Sequence, residues 1–150
     1  MGSKTKNSKH FAAQTYSRSI NSAFFSPSGN TLVATSMDDH ITLTSDAHIM
    51  KGKMKHTKRI YHNNQTGRWL STFMTQWHPT TKKDIFTIGC LKQPRRIEIF
   101  DGNSGALDKT LSGDAITAVS SRCCFHPTEN RMVVMGGNSS GRVVVASDTW

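Results

Sequence analysis

Short apolar runs alternate with polar turns along the whole chain, and no stretch carries the three-to-four spacing of an amphipathic helix. Period-two alternation is clearest in Ile41-Thr42-Leu43 and Ile97-Glu98-Ile99, as strands require. The runs fall into groups. A first run covers 20–25, 70–77 and 117–125. A second covers 31–35, 84–88 and 132–135, and a third covers 41–43, 96–100 and 142–145. The first two groups have room for a fourth, weaker run, around 49–55 and 107–111. Each first run ends on an aromatic residue followed by Ser or His and then Pro: Phe25-Ser26-Pro27, Trp77-His78-Pro79 and Phe125-His126-Pro127. The proline fixes φ for the first corner of a turn. Asp38-Asp39, Asp101-Gly102-Asn103-Ser104-Gly105 and Gly136-Gly137-Asn138-Ser139-Ser140-Gly141 supply further turns. No helix follows them, so they read as turn formers rather than phosphate cradles.

The aromatic-Pro core recurs at 25, 77 and 125, an interval of about 50 residues that indicates a repeat architecture. Three or four antiparallel strands per repeat of this size is the pattern of a β-propeller blade. The expected fold is therefore all-β: about three four-stranded antiparallel blades, too few for a closed ring of roughly four to eight. The expected division is a disordered basic tail over 1–16, blade one with a basic connection over 17–62, blade two over 63–115 and a partial blade three over 116–150.

Length and charge then change the picture. A chain of 150 residues suggests one self-sufficient domain, and the repeat makes it part of a larger ring instead. The net charge of +9 is not diffuse. Residues 51–96 hold eleven basic side chains and one acid, Asp84, while the rest of the chain is close to neutral. Such a strip fits a polyanion partner; a solvated face remains the alternative reading. Lys51, Lys53 and Lys55 alternate as on an exposed edge strand, where lysine guards against unwanted pairing.

Other chemistry is not signalled. No apolar run approaches the ~20 residues of a membrane span, so no membrane partner is expected. The first residues lack the apolar core of a signal peptide. Three cysteines, two of them adjacent, give no disulfide framework and fit a reducing compartment. Without a Cys-x-x-Cys or His-x-x-x-His pair no metal site is expected, and no nucleophile or phosphate-loop motif points to an enzyme or a cofactor.

Several motifs carry a family resemblance. Asn21-Ser22-Ala23-Phe24-Phe25-Ser26-Pro27-Ser28-Gly29 resembles the opening of a WD-repeat blade, and Phe100-Asp101 resembles a closing Trp-Asp with Phe in place of Trp. Thr66-Gly67-Arg68-Trp69-Leu70, Gln93-Pro94-Arg95-Arg96-Ile97-Glu98-Ile99-Phe100 and Gly136 to Gly141 are similar to the WD-repeat family of WD repeat-containing protein 76 and damaged-DNA-binding protein 2. The resemblance covers about residues 17–146. It implies the last three blades of a seven-bladed WD-repeat β-propeller, nuclear, that binds DNA or chromatin. Docking to a cullin-4 ubiquitin-ligase adaptor would lie in blades outside this chain, because no Trp-Asp-x-Arg stands here: the nearest equivalent reads Phe100-Asp101-Gly102-Asn103.

The resemblance also singles out residues. In the damaged-DNA-binding relative a hairpin ahead of a blade's first strand enters the duplex, and Gly67, Arg68 and Trp69 match its position. Trp69 could stack on a base or start a strand and pack under the propeller rim. Arg95 matches a basic position of the relative. Arg96 and Lys92 share its loop, and Arg59 lies with Lys58 and His62 on the connection leading to the hairpin. The alternative is a protein-interaction scaffold, or a ligase substrate receptor, that makes no direct contact with DNA.

Overall fold

The computed structural model describes residues 12–79, 82–129, 132–136, 138 and 140–147. Its described residues form thirteen strands and one 3-10 turn, with no α-helix. After a two-residue strand, β1 (Ala12–Ala13), blade one is built from β2 (Ile20–Phe25), β3 (Thr31–Ser36) and β4 (His40–Ser45). A short β5 (Gly52–Lys53) interrupts the connection to its fourth strand, β6 (Lys58–Tyr61). Blade two is β7 (Gln76–Trp77), β8 (Ile85–Cys90), β9 (Arg96–Asp101) and β10 (Leu107–Ser112). Blade three has three strands, β11 (Arg122–Phe125), β12 (Met132–Gly136) and β13 (Val144–Ser147). Within each blade the strands are antiparallel neighbours, in the orders β2-β3-β4-β6, β7-β8-β9-β10 and β11-β12-β13.

The blades stack face to face, so their central strands are covered on both sides. Every residue of β8 is buried, as are the inner four of β4 and β9. Val33, Ile41 and Leu43 of blade one meet Phe86, Ile88 and Phe100 of blade two. Ile85, Ile97 and Ile99 of blade two join Ile116, Cys123 and Phe125 on the other face. The alternation legible in Ile97-Glu98-Ile99 is thus a division between two neighbours: the isoleucines turn to blade three, and Glu98 and Phe100 to blade one. Gly89 marks where a neighbouring blade approaches most closely, since a Cβ there would lie 1.7 Å from the Ser120 carbonyl oxygen.

Phe25, Trp77 and Phe125 each end the first strand of a blade, as the repeat predicts. The corner after them closes alike in blades one and two: Ser26 N–H donates to Thr31 O at 2.7 Å and His78 N–H to Ile85 O at 2.8 Å. In blades two and three the first strand is shorter than the apolar run suggests, whereas in blade one it fills the run 20–25. Residues 70–75 and 117–121 pack against the preceding blade instead of extending their own sheet. Thr75 N–H donates to Thr35 Oγ1 at 3.4 Å, and Ser120 and Ser121 are buried.

Two expectations are corrected. The fourth strand of blade one is Lys58–Tyr61, not 49–55. Ala47–Ile49 form the 3-10 turn and Gly52 adopts a φ of 78°, which break the extended run, while Ile60 rather than Ile49 packs on the core. The tail is not free throughout. Of the span 1–16, residues 1–11 lie outside the described residues, but β1 pairs in parallel with β5. Gln14 Nε2 meets His56 Nδ1 at 2.9 Å, and the Tyr16 hydroxyl reaches Thr42 Oγ1 at 2.7 Å. In the Gly136 to Gly141 turn, Gly137 and Ser139 lie outside the described residues. There Asn138 Oδ1 accepts from Ser140 N–H at 3.0 Å and Arg142 N–H at 3.2 Å.

Candidate nucleic-acid interface

Strand direction separates two ends of the stacked blades. The turn between second and third strands, and the connection that leaves the fourth strand for the next blade, lie at one end. The turns between first and second and between third and fourth strands lie at the other. Sorted this way, the basic strip of residues 51–96 divides. Lys51, Lys53, Lys55, Lys58, Lys82 and Lys83 belong to the second end, while Arg59, Arg68, Lys92, Arg95 and Arg96 belong to the first. Arg18, Arg122 and Arg142 join the first end, so every arginine among the described residues gathers there.

The connection carrying Gly67, Arg68 and Trp69 is fastened before it projects. Asp39, held at a φ of 62° in the β3–β4 turn, is its anchor. Its main-chain oxygen accepts from His62 N–H at 3.0 Å and its Oδ1 from Asn64 N–H at 2.8 Å. Asn64, fully buried, donates through Nδ2 to Ser36 O at 2.8 Å, and Gln65 Nε2 donates to Met37 O at 2.8 Å. Beyond the tip, Leu70 packs on the core and Phe73 is fully buried. Between these anchors the chain turns at Gly67, φ 73°, with Arg68 exposed and Trp69 88% exposed. Trp69 therefore neither starts a strand nor packs under the rim. Tyr61, 71% exposed at the end of β6, is a second aromatic at this end.

The remaining predicted residues are held to different degrees. Arg59 keeps half of its side chain in solvent; its Nη2 lies 3.1 Å from His40 Nδ1 and 3.7 Å from Asp38 Oδ2. Burial raises the Asp38 carboxyl, but hydrogen bonds from Ser36 and Ser17, with His40 and Arg59 nearby, outweigh it and leave the group below its ordinary value. Arg95 turns back on its own loop and donates through Nη1 to Leu91 O. Arg96 and Lys92 converge on the buried Glu98, Arg96 Nε at 3.1 Å and Lys92 Nζ at 3.9 Å from Oε1. The structure brings Lys92 and Arg96 together, ties up Arg95, and leaves Arg68 and Trp69 outermost.

Sequence reasoning missed the surroundings of Glu98. His62, Cys90 and Glu98 come from the connection, β8 and β9, and all three are buried with ligand atoms within 4.8 Å of one another. Residues 62, 90 and 98 have no motif spacing to reveal this. A cleft of roughly 200 Å³, lined by Tyr61, His62, Asn63, Cys90, Leu91 and Lys92, opens beside them.

No family model matches the chain. WD repeat-containing protein 76 of Mus musculus is 38% identical over 131 residues, covering 87% of this chain and 20% of that protein. The Xenopus laevis protein of the same name is 37% identical over 135 residues, 89% of this chain and 22% of that protein. DNA damage-binding protein CMR1 of Chaetomium globosum is 33% identical over 136 residues, 83% of this chain and 25% of that protein. The chain thus spans about a fifth to a quarter of the length of these relatives. Among solved structures, the β-propeller domain of Myceliophteria thermophila Cps50 (Swd1) superposes with a TM-score of 0.63 at 16% identity, over 87% of this chain and 40% of that one. That likeness concerns the fold.

Stacked four-stranded antiparallel blades of this kind define a segment of a WD-repeat β-propeller. The chain belongs to that family, and its sequence relatives are WD repeat-containing protein 76 and the DNA damage-binding protein CMR1.

Proposed function

We propose that this chain contributes a DNA-binding surface to a nuclear, DNA-damage-related WD-repeat protein, through the end of the blades that bears the arginines. The observation that carries the proposal is Trp69: an indole 88% exposed, on a turn whose flanks are locked, beside Arg68. Leaving a tryptophan in water has no packing benefit, whereas a flat π-face next to guanidinium groups suits stacking on a base with phosphates alongside. Arginine rather than lysine at this end fits bidentate recognition of phosphate and base edges. The DNA damage-binding name of the fungal relatives points the same way.

Within this reading the roles differ. Arg68 and Arg59, both exposed, meet phosphate, and Trp69 stacks. Lys92 and Arg96 shape the adjoining wall while neutralising Glu98. Arg95 supports its loop. Gly67 supplies the left-handed turn that presents the tip. The test is fluorescence anisotropy of labelled duplex and single-stranded DNA at two salt concentrations, comparing the parent with Arg68→Glu and Trp69→Ala. Binding should fall with salt at a log–log slope of roughly −0.9 per phosphate neutralised on duplex, with Arg68→Glu reducing that slope. Salt-insensitive binding, or identical binding by all three proteins, overturns the proposal.

A further inference from the structure

We infer that His62, Cys90 and Glu98 form a binding site for a divalent cation of the zinc class, which staples the connection after β6 to the β8–β9 hairpin. The argument starts from the orientation of His62. Asn64 Nδ2 donates to Ser36 O at 2.8 Å and to His40 O at 3.3 Å, which fixes its amide. Its Oδ1 therefore faces His62 Nδ1, 2.7 Å away, and Nδ1 must carry the hydrogen. The other ring nitrogen, Nε2, then presents a lone pair. It is buried and lacks a hydrogen-bond partner, and His62 is only 5% exposed. What it faces is Glu98 Oε2 at 3.8 Å, a second lone pair in a residue 3% exposed. Two buried acceptors directed at each other need a positive charge between them.

A proton or a metal ion could supply it. The third ligand distinguishes the two. Cys90 Sγ lies 3.3 Å from Glu98 Oε1, so sulfur, nitrogen and carboxylate oxygen bound one small space. A tetrahedral zinc ion with bonds of about 2.0–2.3 Å holds such ligand atoms about 3.3–3.6 Å apart. The His62 Nε2–Glu98 Oε2 separation is 3.8 Å and the three ligand atoms all lie within 4.8 Å of one another, so modest side-chain shifts close the set on an ion. The set is also chemically apt. Thiolate plus imidazole selects zinc-like ions over magnesium or calcium. A histidine whose second nitrogen donates to a fixed amide oxygen has the orienting partner that metal-bound histidines need. Arg96 and Lys92 on Oε1 leave Oε2 for the ion.

Binding releases the Cys90 thiol proton to solvent, and the cleft beside Cys90 and His62 provides the way in and room for a water as fourth ligand. The ion's role is structural. It joins the segment leading to Arg68 and Trp69 to the hairpin bearing Lys92, Arg95 and Arg96, and it does so whether or not that end binds DNA.

The test is cobalt titration of the metal-stripped chain, followed by zinc competition. The expected result is one equivalent of cobalt, a near-ultraviolet thiolate-to-cobalt charge-transfer band and displacement by zinc. The band should vanish in Cys90→Ser and persist in Cys124→Ser, whose sulfur is exposed. Because Cys90→Ser could misfold, cadmium NMR of the unaltered protein provides a second measurement, expected to report one sulfur ligand. Absence of stoichiometric binding overturns the site, as does a band that survives in folded Cys90→Ser or a cadmium shift typical of oxygen ligands alone.

Discussion

The indole nitrogen of Trp77 donates to the main-chain oxygen of Phe24 at 2.9 Å, joining the first strand of blade two to the first strand of blade one. The same ring meets Phe86 edge-on, with centroids 5.3 Å apart, and a Cβ at Gly102 would lie 2.5 Å from it. One side chain thus fills the space between blades and adds a hydrogen bond between their first strands.

Trp77→Phe removes the hydrogen bond while keeping most of the volume, and should cost about 1 kcal/mol. Trp77→Ala adds a large cavity and should cost about 3–5 kcal/mol. Urea denaturation followed by circular dichroism measures both. Equal losses in the two variants would mean that the hydrogen bond, rather than the packing, dominates.

Gly89→Ala should be among the most damaging single changes. The added methyl would sit 1.7 Å from the Ser120 carbonyl oxygen and 2.9 Å from the Phe73 ring, and main chain cannot yield as a flexible side chain can. The expected cost is about 3 kcal/mol or more. Loss of soluble protein, or a strongly lowered melting temperature, is the readout.

Trp69→Ala should leave stability within about 0.5 kcal/mol, because the indole makes few contacts to lose. If the tip stacks on a base, DNA affinity should fall by about 1–3 kcal/mol. Melting temperature and anisotropy on one preparation separate the two effects.

Asp101 predicts a pH response. Its carboxylate accepts from Ser104 N–H at 2.7 Å, Ser104 Oγ at 3.0 Å and Asn103 N–H at 2.9 Å, and these bonds hold its pKa below the usual 3.8. The folded state therefore binds this proton less readily than the unfolded chain. The stabilisation is present above pH 3.8 and is lost as pH falls through the lower folded value. Asp101→Asn should show a shallower acid limb in its stability profile than the parent.

Much of the architecture was legible because it depends on strand-period alternation and on an aromatic-Pro corner, both local. Ile97, Glu98 and Ile99 announced a strand, and Phe25, Trp77 and Phe125 announced three blades. What escaped depends on contacts distant in sequence. The pairing of Ala12–Ala13 with Gly52–Lys53 is two residues long and leaves no pattern. The edge strand of blade one was sought near Ile49, where Gly52 and a 3-10 turn intervene. Trp69 had two readings that only its surroundings could separate. The charge strip looked continuous, yet strand reversal sends its lysines, Lys92 apart, one way and its arginines the other.

That sorting of cations bears on covalent regulation. Acetylation neutralises lysine and leaves arginine untouched. Of the lysines in residues 51–96, Lys92 alone lies at the arginine end. An acetyltransferase acting on this chain could thus strip charge from one end of the blades while the opposite end keeps nearly all of its own. The two ends would then answer to different cellular signals, although they belong to one stack of strands.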